Sequence, residues 1–361
     1  MRRGRKRKKY SEINVVDLFC GIGGLSYGMK SCGFKIKGGF DIDNTCRFAY
    51  EFNNEAPFFF KDIREVTKKD INPLYEKESV RILAGCAPCQ PFSSYSNNKK
   101  KDPNKYDLLY EFGRLVKEVK PDIVTMENVP AIRTFKLKNV LGDFLKILRD
   151  NGYGEPSVNI VYCPQFGIPQ TRKRLVLLAS RFGEIHLIPP FIKDSSKFVT
   201  VRQTIGNLSP LKAGESSVTD PLHRAARLSP INLKRIQSTR EGGSWKDWPD
   251  DLKLSCHLSE SGKTFGSVYG RMRWDAPSPT ITTECTGLGN GRFGHPEQDR
   301  AISAREAALL QTFPMSYKFF ENESSVSLTK ASRYIGNAVP PKLGEVIAES
   351  IINHLNEHFE K

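Results

Sequence analysis

The stretch INVVDLFCGIGGLSYGM, Ile13 to Met29, constrains the fold more than any other part of the chain. A short apolar, β-rich run breaks into glycines and then into helix-forming sequence, which is how α/β nucleotide-type sites begin. Gly21, Gly23 and Gly24 let backbone approach a ligand where a β-carbon would clash. Asp41 lies 20 residues beyond Gly21 at the end of the next strand, FKIKGGFD, and its carboxylate suits a ribose diol. A dinucleotide fingerprint would place a third glycine two residues further on; here the next glycine is Gly28, so a nicotinamide cofactor is disfavoured. Taken alone, the same loop is also an ordinary tight turn.

Beyond this opening, strand and helix signals alternate. Strands are expected at PFFFKD, VRILAGC, PDIVTMEN, SVNIVYC and RLVLLAS. A helix from Asp107 aligns Leu108, Leu109, Phe112, Leu115, Val116 and Val119, and another from Leu137 to Leu148 aligns Leu137, Val140, Leu141, Phe144, Leu145 and Leu148. Such alternation implies an α/β fold, a mixed and mostly parallel sheet with helices on both faces. At 361 residues two domains are expected. Residues 1–10 form a basic arm, expected to be flexible, and 11–190 the α/β domain. Residues 191–325, richer in Gly, Ser, Thr, Pro and Arg, read as a smaller, irregular, β-rich domain; within them Ser303 and Glu306 make a capping box in ISAREAALLQTF. Residues 326–361 return to the first domain and end in a helix, GEVIAESIINHLNEHF.

Lys and Arg outnumber Asp and Glu by 55 to 40, a net charge of +15, which favours an anionic polymer as partner. Seven of the basic residues lie in the first ten, MRRGRKRKKY, yet the rest of the chain still carries +8. That arm could lie on phosphates, direct targeting or act as a solubilising tail. No apolar run reaches the roughly 18 residues of a membrane span, and the arm lacks the apolar core of a secretory signal. Eight scattered cysteines read as reduced thiols of an intracellular, cytoplasmic protein.

Cys86 and Cys89, in GCAPCQPFS, admit three readings: a redox pair, half of a metal site, or one nucleophile with an idle neighbour. A zinc site needs a second pair; Cys256 with His257, Cys285, and His354 with His358 are not spaced as one, so no metal is expected. Cys89 fits a nucleophile on a loop at a strand end, with Pro88 and Pro91 on either side preventing regular structure. Cys86, still in strand register, reads as structural. A free thiol is only a few per cent ionised at neutral pH, so a nucleophile needs a basic neighbour, which Arg172 and Arg174 in QTRKRL could supply. A solvated basic loop is their plainer reading. Glu127 ends an apolar strand, where an acid is costly unless it has a task or caps the following turn.

Six blocks together, DLFCGIGGLSYGM, GCAPCQPFS, ENVP, QTRKRL, ISAREAALLQTFP and YIGNAVPP, resemble in content and order those of the DNA cytosine-5 methyltransferase family, of the bacterial restriction-modification type. The resemblance covers nearly the whole chain after the basic arm. It implies an S-adenosylmethionine-dependent (Rossmann-like) catalytic domain, a target-recognition domain over 191–325, and sequence-specific transfer of a methyl group to carbon 5 of a flipped-out cytosine.

Residue by residue, the resemblance makes Cys89 the nucleophile at cytosine carbon 6, Glu127 the contact to ring nitrogen 3 and the exocyclic amine, and Arg172 and Arg174 the holders of the base oxygen and catalytic loop. For S-adenosylmethionine it implies stacking on Phe19, close approach at Gly21, Gly23 and Gly24, the ribose on Asp41, and adenine on Ile42, Asp62 and Ile63. Pro88, Asn337 and Ala338 close that pocket. The family usually has Glu where this chain has Asp41, one methylene shorter. Gln90, Ser93, Arg271, Arg273 and Arg292 are candidate DNA contacts, with Trp245 and Tyr269 beside them. Double-stranded DNA is the expected partner, with a cognate restriction endonuclease acting on the same site; a monomer is expected. The rival readings are a transfer-RNA cytosine-5 methyltransferase, whose branch carries a Cys-Phe-Thr tripeptide absent here, and a non-catalytic DNA-binding relative.

Overall fold

The computed structural model describes residues 12–88, 107–134, 139–260, 262–322 and 326–359. In chain order its principal elements are β1 (Ile13–Leu18), α1 (Gly24–Ser31), β2 (Lys35–Asp41), α2 (Arg47–Asn54), β3 (Phe58–Phe60), α3 (Lys68–Ile71), β4 (Val80–Gly85), α4 (Asp107–Val119), β5 (Ile123–Asn128), α5 (Val140–Asp150), β6 (Ser157–Tyr162) and β7 (Lys173–Ser180). Then come α6 (Val201–Ile205), α7 (Pro230–Gln237), α8 (Ser255–Leu258), α9 (Ala304–Leu310), α10 (Leu328–Asn337) and α11 (Pro341–Phe359). The chain divides into two compact units. Unit 1 holds 1–162, 173–190 and 341–361, and unit 2 holds 163–172 and 191–340. Thus 163–172 and 326–340 pack with unit 2, and the return to unit 1 begins only at Pro341, with α11.

All seven strands form one sheet in unit 1, ordered β3-β2-β1-β4-β5-β7-β6. β1 is an interior strand, parallel to β2 and β4 on its two sides, and all six of its residues are buried, as a strand covered on both faces requires. From β1 the chain builds outward through β2 and β3, then crosses back to lay β4 on the other side. The reversal opens a crevice at the carboxyl ends of β1 and β4, where open α/β sheets bind ligands. Leu18 pairs with Gly85, so Phe19 and Cys86 leave the sheet at the same level.

The far edge explains the next site residues. β5 is parallel to β4, whereas β7 is antiparallel to β5, with Glu127 opposite Val176 and Asn128 opposite Leu175. An antiparallel neighbour brings its amino-terminal end to the carboxyl end of β5. Arg174, one residue before Leu175, therefore stands beside Glu127.

One face of the sheet packs Val16, Leu18, Leu83, Val124 and Met126 against the apolar stripes of α4 and α5, where the Phe112 and Phe144 rings meet in a tilted arrangement with centroids 5.3 Å apart. The described part of α5 starts at Val140, because Asn139 accepts a hydrogen bond from the Gly142 amide and caps it. Residues 135–138, which include the expected start of that helix at Leu137, lie outside the described residues. On the opposite face α1 meets α11 through Gly28 and Gly344.

Unit 2 departs from the expected β-rich character: among its described residues, pairing is confined to isolated bridges such as Arg271 with Gly294. Its frequent Gly, Pro and Ser break regular ladders, and buried polar side chains bond the backbone instead. Arg300, fully buried, donates to both oxygens of Glu306 at 2.7 Å, while Glu306 also accepts from the Ser303 amide in the expected capping box that opens α9. No helix among the described residues is long and apolar enough to cross a membrane.

Candidate active site

The glycine turn and Asp41 meet as the sequence spacing suggests. Asp41 ends β2, and its Oδ2 accepts the Gly21 amide at 2.8 Å while its Oδ1 accepts the Asp43 amide at 2.8 Å. Desolvation raises the Asp41 pKa, opposed by those amide bonds. A carboxylate offers about four lone-pair sites, so it has capacity for a further donor beside these amides.

The three glycines do different things. Gly21 has φ +51° and open space where a β-carbon would project, leaving room for a ligand. Gly23 has φ +88° and would clash with Asn54 and Tyr50 of its own unit if it carried a side chain; it is glycine for the turn and for packing. Gly24 is the first residue of α1. Phe19, half-buried, holds φ +58°, a conformation that non-glycine residues seldom adopt and that gathers at functional sites.

Ile42 is 65% exposed, an apolar surface directly after the Asp41 carboxylate. Asp62 accepts the Arg64 amide and pairs with the Arg64 guanidinium, both at 3.0 Å, whereas the Ile63 side chain is buried in the core. An exposed aliphatic face, a carboxylate with spare lone pairs and a β-carbon-free approach are what a nucleoside needs, so these residues fit an adenosyl cofactor.

Beneath the turn, Asp17 is buried with its Oδ2 accepting from Ser26 Oγ at 2.6 Å. Burial pushes its pKa up to about 7.

Across the crevice Glu127 is 2% exposed. Arg174 Nε stands 2.8 Å from its Oε1, close enough for an ion pair although not aligned as a hydrogen bond. Cys86, structural by its strand register in the sequence, places Sγ 2.7 Å from Glu127 Oε2. Asn128 Nδ2 donates to the Ala87 carbonyl at 3.3 Å, a second tie between the ends of β4 and β5. Register was the missing signal for Cys86: Gly85 pairs with Met126, so Cys86 and Glu127 are the next residues along both strands. Cys89, Gln90 and Ser93 lie outside the described residues; Pro88 is the last residue described before them.

Unit 2 carries the remaining candidates. Arg172 is buried and donates to the Ile281 carbonyl at 3.1 Å. A buried amide relay ties its segment to the end of α10: Gln170 Nε2 reaches Gln311 Oε1 at 2.5 Å, and Gln311 Nε2 donates to the Ile335 and Ala338 carbonyls at 3.0 and 2.7 Å. Asn337, beside that relay, is exposed.

The arginines proposed for DNA separate. Arg271 is 4% exposed and donates to the carbonyls of Thr239, Ile236, His295 and Gln298 as well as to Asp299. Arg292 donates to Gly243 O at 2.6 Å and to Gly242 O, and burial lowers its pKa. Trp245 is buried and stacks on His257 at 4.4 Å. Arg273 is exposed. The first three are engaged by the fold of unit 2, and Arg273 is the one of the named arginines turned to solvent.

Comparisons with known proteins agree with one another. The family model for C-5 cytosine-specific DNA methylase matches residues 13–353. The Type II methylase M.HgiDII of Herpetosiphon aurantiacus is 51% identical over 347 residues, covering 96% of this chain and 97% of the relative. The Type II methyltransferase M.PspPI of a Psychrobacter strain is 29% identical over 350 residues, covering 95% and 80%. Among solved structures, one described as a DNA modification methyltransferase encoded within an Escherichia coli prophage superimposes with a TM-score of 0.73 at 23% identity, covering 96% of this chain and all of that one. The Dnmt2 methyltransferase of Schizosaccharomyces pombe superimposes with a TM-score of 0.58 at 22% identity, covering 96% and 99%. At these identities the structures speak for the fold alone.

Proposed function

Since the chain belongs to the C-5 cytosine-specific DNA methylase family, and is thus a DNA (cytosine-5-)-methyltransferase of the restriction-modification type, we propose that it acts through a covalent Cys89 adduct on a flipped-out cytosine. The observation that carries this reading is the buried Glu127 carboxylate, held by Arg174 at the end of β5 beside the strand end that leads into Cys89. Cytosine carbon 5 is a poor nucleophile in the intact ring. The Cys89 thiolate adds to carbon 6, and the displaced electron pair moves toward carbon 5, which becomes methyl-accepting. Once carbon 5 bears the methyl group, a base takes its proton, and the electron pair released expels the thiolate and restores the ring.

Glu127 meets ring nitrogen 3 and the exocyclic amine, and Arg174 orients it. Arg172 and Arg174 are proposed to hold the base oxygen and the catalytic loop. Extrusion of the base costs a few kcal/mol, which a basic chain offsets through phosphate contacts.

For the cofactor, Asp41 would hold the ribose of S-adenosylmethionine, Phe19 and Ile42 would flank its adenine, Asp62 and the Ile63 backbone would meet the adenine edge, and Gly21 would admit its methionine end. When bound, that cofactor supplies an electrophilic methyl group. Gly23 and Gly24 shape the turn, and Pro88, Asn337 and Ala338 are proposed as further cofactor contacts. Gln90, Ser93 and Arg273 are proposed DNA contacts. A cognate endonuclease acting on the same sequence and a monomeric state complete this reading.

A duplex bearing 5-fluorocytosine tests it, because fluorine cannot leave as a proton does. With S-adenosylmethionine present, the parent should accumulate a covalent protein–DNA species mapped to Cys89, and Cys89→Ser should bind duplex without forming it. No trapped species in the parent would refute the mechanism. Bisulfite sequencing of DNA from expressing cells would identify the target sequence.

A further inference from the structure

We propose that Cys86 is a positioning residue for Glu127, a proposal that rests on the role given to Glu127 above. Four of the other described cysteines, Cys20, Cys46, Cys163 and Cys285, are buried as small apolar residues are. Cys86 differs. It sits one residue past β4, with its amide still bonded to Leu18 O at 3.3 Å, and its thiol meets a nearly inaccessible carboxylate. A buried carboxylate has to be held by donors or it turns toward whichever group satisfies it. Here the two oxygens are held from different strands: Oε1 by Arg174 of β7 and Oε2 by Cys86 at the end of β4.

Removing the thiol leaves one side of the carboxylate anchored. Glu127 can then rotate about its last side-chain bond, away from the angle at which it meets the ring of a flipped base. The Asn128 to Ala87 bond runs between the same two strand ends in the opposite direction. Together the two ties set the lateral spacing between Glu127 and the root of the segment that carries Cys89, three residues after Cys86. Serine could replace the thiol as donor, whereas alanine would leave Oε2 without it.

The experiment compares the parent, Cys86→Ala, Cys86→Ser and Glu127→Gln in steady-state methyl transfer from S-adenosylmethionine to duplex DNA, with thermal melting of each. Misplacing a reacting group by about 1 Å costs about 100-fold in rate; loss of one of two anchors is expected to lower kcat about tenfold in Cys86→Ala. KM for DNA should stay within about twofold, and Cys86→Ser should recover most of kcat. A Cys86→Ala enzyme with parental kcat, or a Cys86→Ser enzyme as slow as Cys86→Ala, would overturn the proposal. A Glu127→Gln enzyme with parental turnover would overturn both this proposal and the role of Glu127; a slow Glu127→Gln beside an unaffected Cys86→Ala would remove this proposal alone.

Should Cys86→Ala fail to fold, the infrared S–H stretching band isolated by subtracting the Cys86→Ser spectrum gives a readout without turnover. It should shift between the parent and Glu127→Gln backgrounds, and an unshifted band would refute the contact.

Discussion

Gly28 of α1 and Pro341 of α11 are so close that a β-carbon on Gly28 would stand 2.0 Å from the Pro341 carbonyl oxygen. The fourth glycine of the DLFCGIGGLSYGM block therefore serves helix packing, and Gly344 answers it from the other helix, with a β-carbon there 2.7 Å from Leu25 O. In an exposed helix interior, Gly→Ala stabilises by about 1 kcal/mol. Here the sign should reverse: Gly28→Ala is expected to destabilise unit 1 by about 1 to 3 kcal/mol, as overpacking does. Urea unfolding of parent and variant checks it, and a raised midpoint would contradict the packing.

Asp41 should matter for cofactor affinity through geometry as well as charge, since its two oxygens orient the Gly21 and Asp43 amides. Asp41→Ala is expected to weaken S-adenosylmethionine binding by at least tenfold, because it removes a charged acceptor and frees the turn. Calorimetric titration measures this; equal affinity in the variant would exclude Asp41 from the site.

Arg271 and Arg273 stand two residues apart and should fail differently. Arg271→Ala removes donors to five groups in unit 2 and is expected to destabilise that unit by several kcal/mol, visible as a lowered melting temperature. Arg273→Ala should leave the melting temperature within a degree or two and reduce duplex affinity with a shallower salt dependence, as loss of a phosphate contact does. Melting curves combined with binding measured across salt concentrations separate the two.

The two units should respond to pH with opposite sign. Asp17 has its pKa raised by burial to about 7, so in this pH range the folded state holds a proton that the unfolded chain releases. Stability from this group is present at low pH and lost as pH rises from about 4 to 7, in all about 4 kcal/mol. Asp17→Asn should therefore gain stability relative to the parent at pH 8 compared with pH 4. In unit 2, burial first, with Arg300 and Arg271 adding to it, lowers His295 to about 4 against the attraction of Glu306. Its Nδ1 accepts the Glu297 and Gln298 amides, which leaves no place for a proton there. Its contribution is present above about pH 6.5 and lost as pH falls toward 4, roughly 3 kcal/mol. His295→Gln should flatten that acid limb in denaturant titrations at pH 7 and pH 4.5; a parent-like slope would rule out His295 as its source.

The sequence by itself determined the strand–glycine–helix opening, the alternation that makes an α/β sheet, the capping box at Ser303 and Glu306, and the six ordered blocks that mark the family. These signals are local: turn chemistry, periodicity and short motifs are written in neighbouring residues. Tertiary structure alone decided that Cys86 meets Glu127 from 41 residues away, that an antiparallel β7 brings Arg174 to the same carboxylate, and that Arg271 is buried. Strand register and the satisfaction of buried donors join segments far apart in the chain, and a one-residue slip would turn each side chain to the other face of the sheet. Composition could place an arginine in the second unit; only packing could say whether its guanidinium would meet water or carbonyl oxygens.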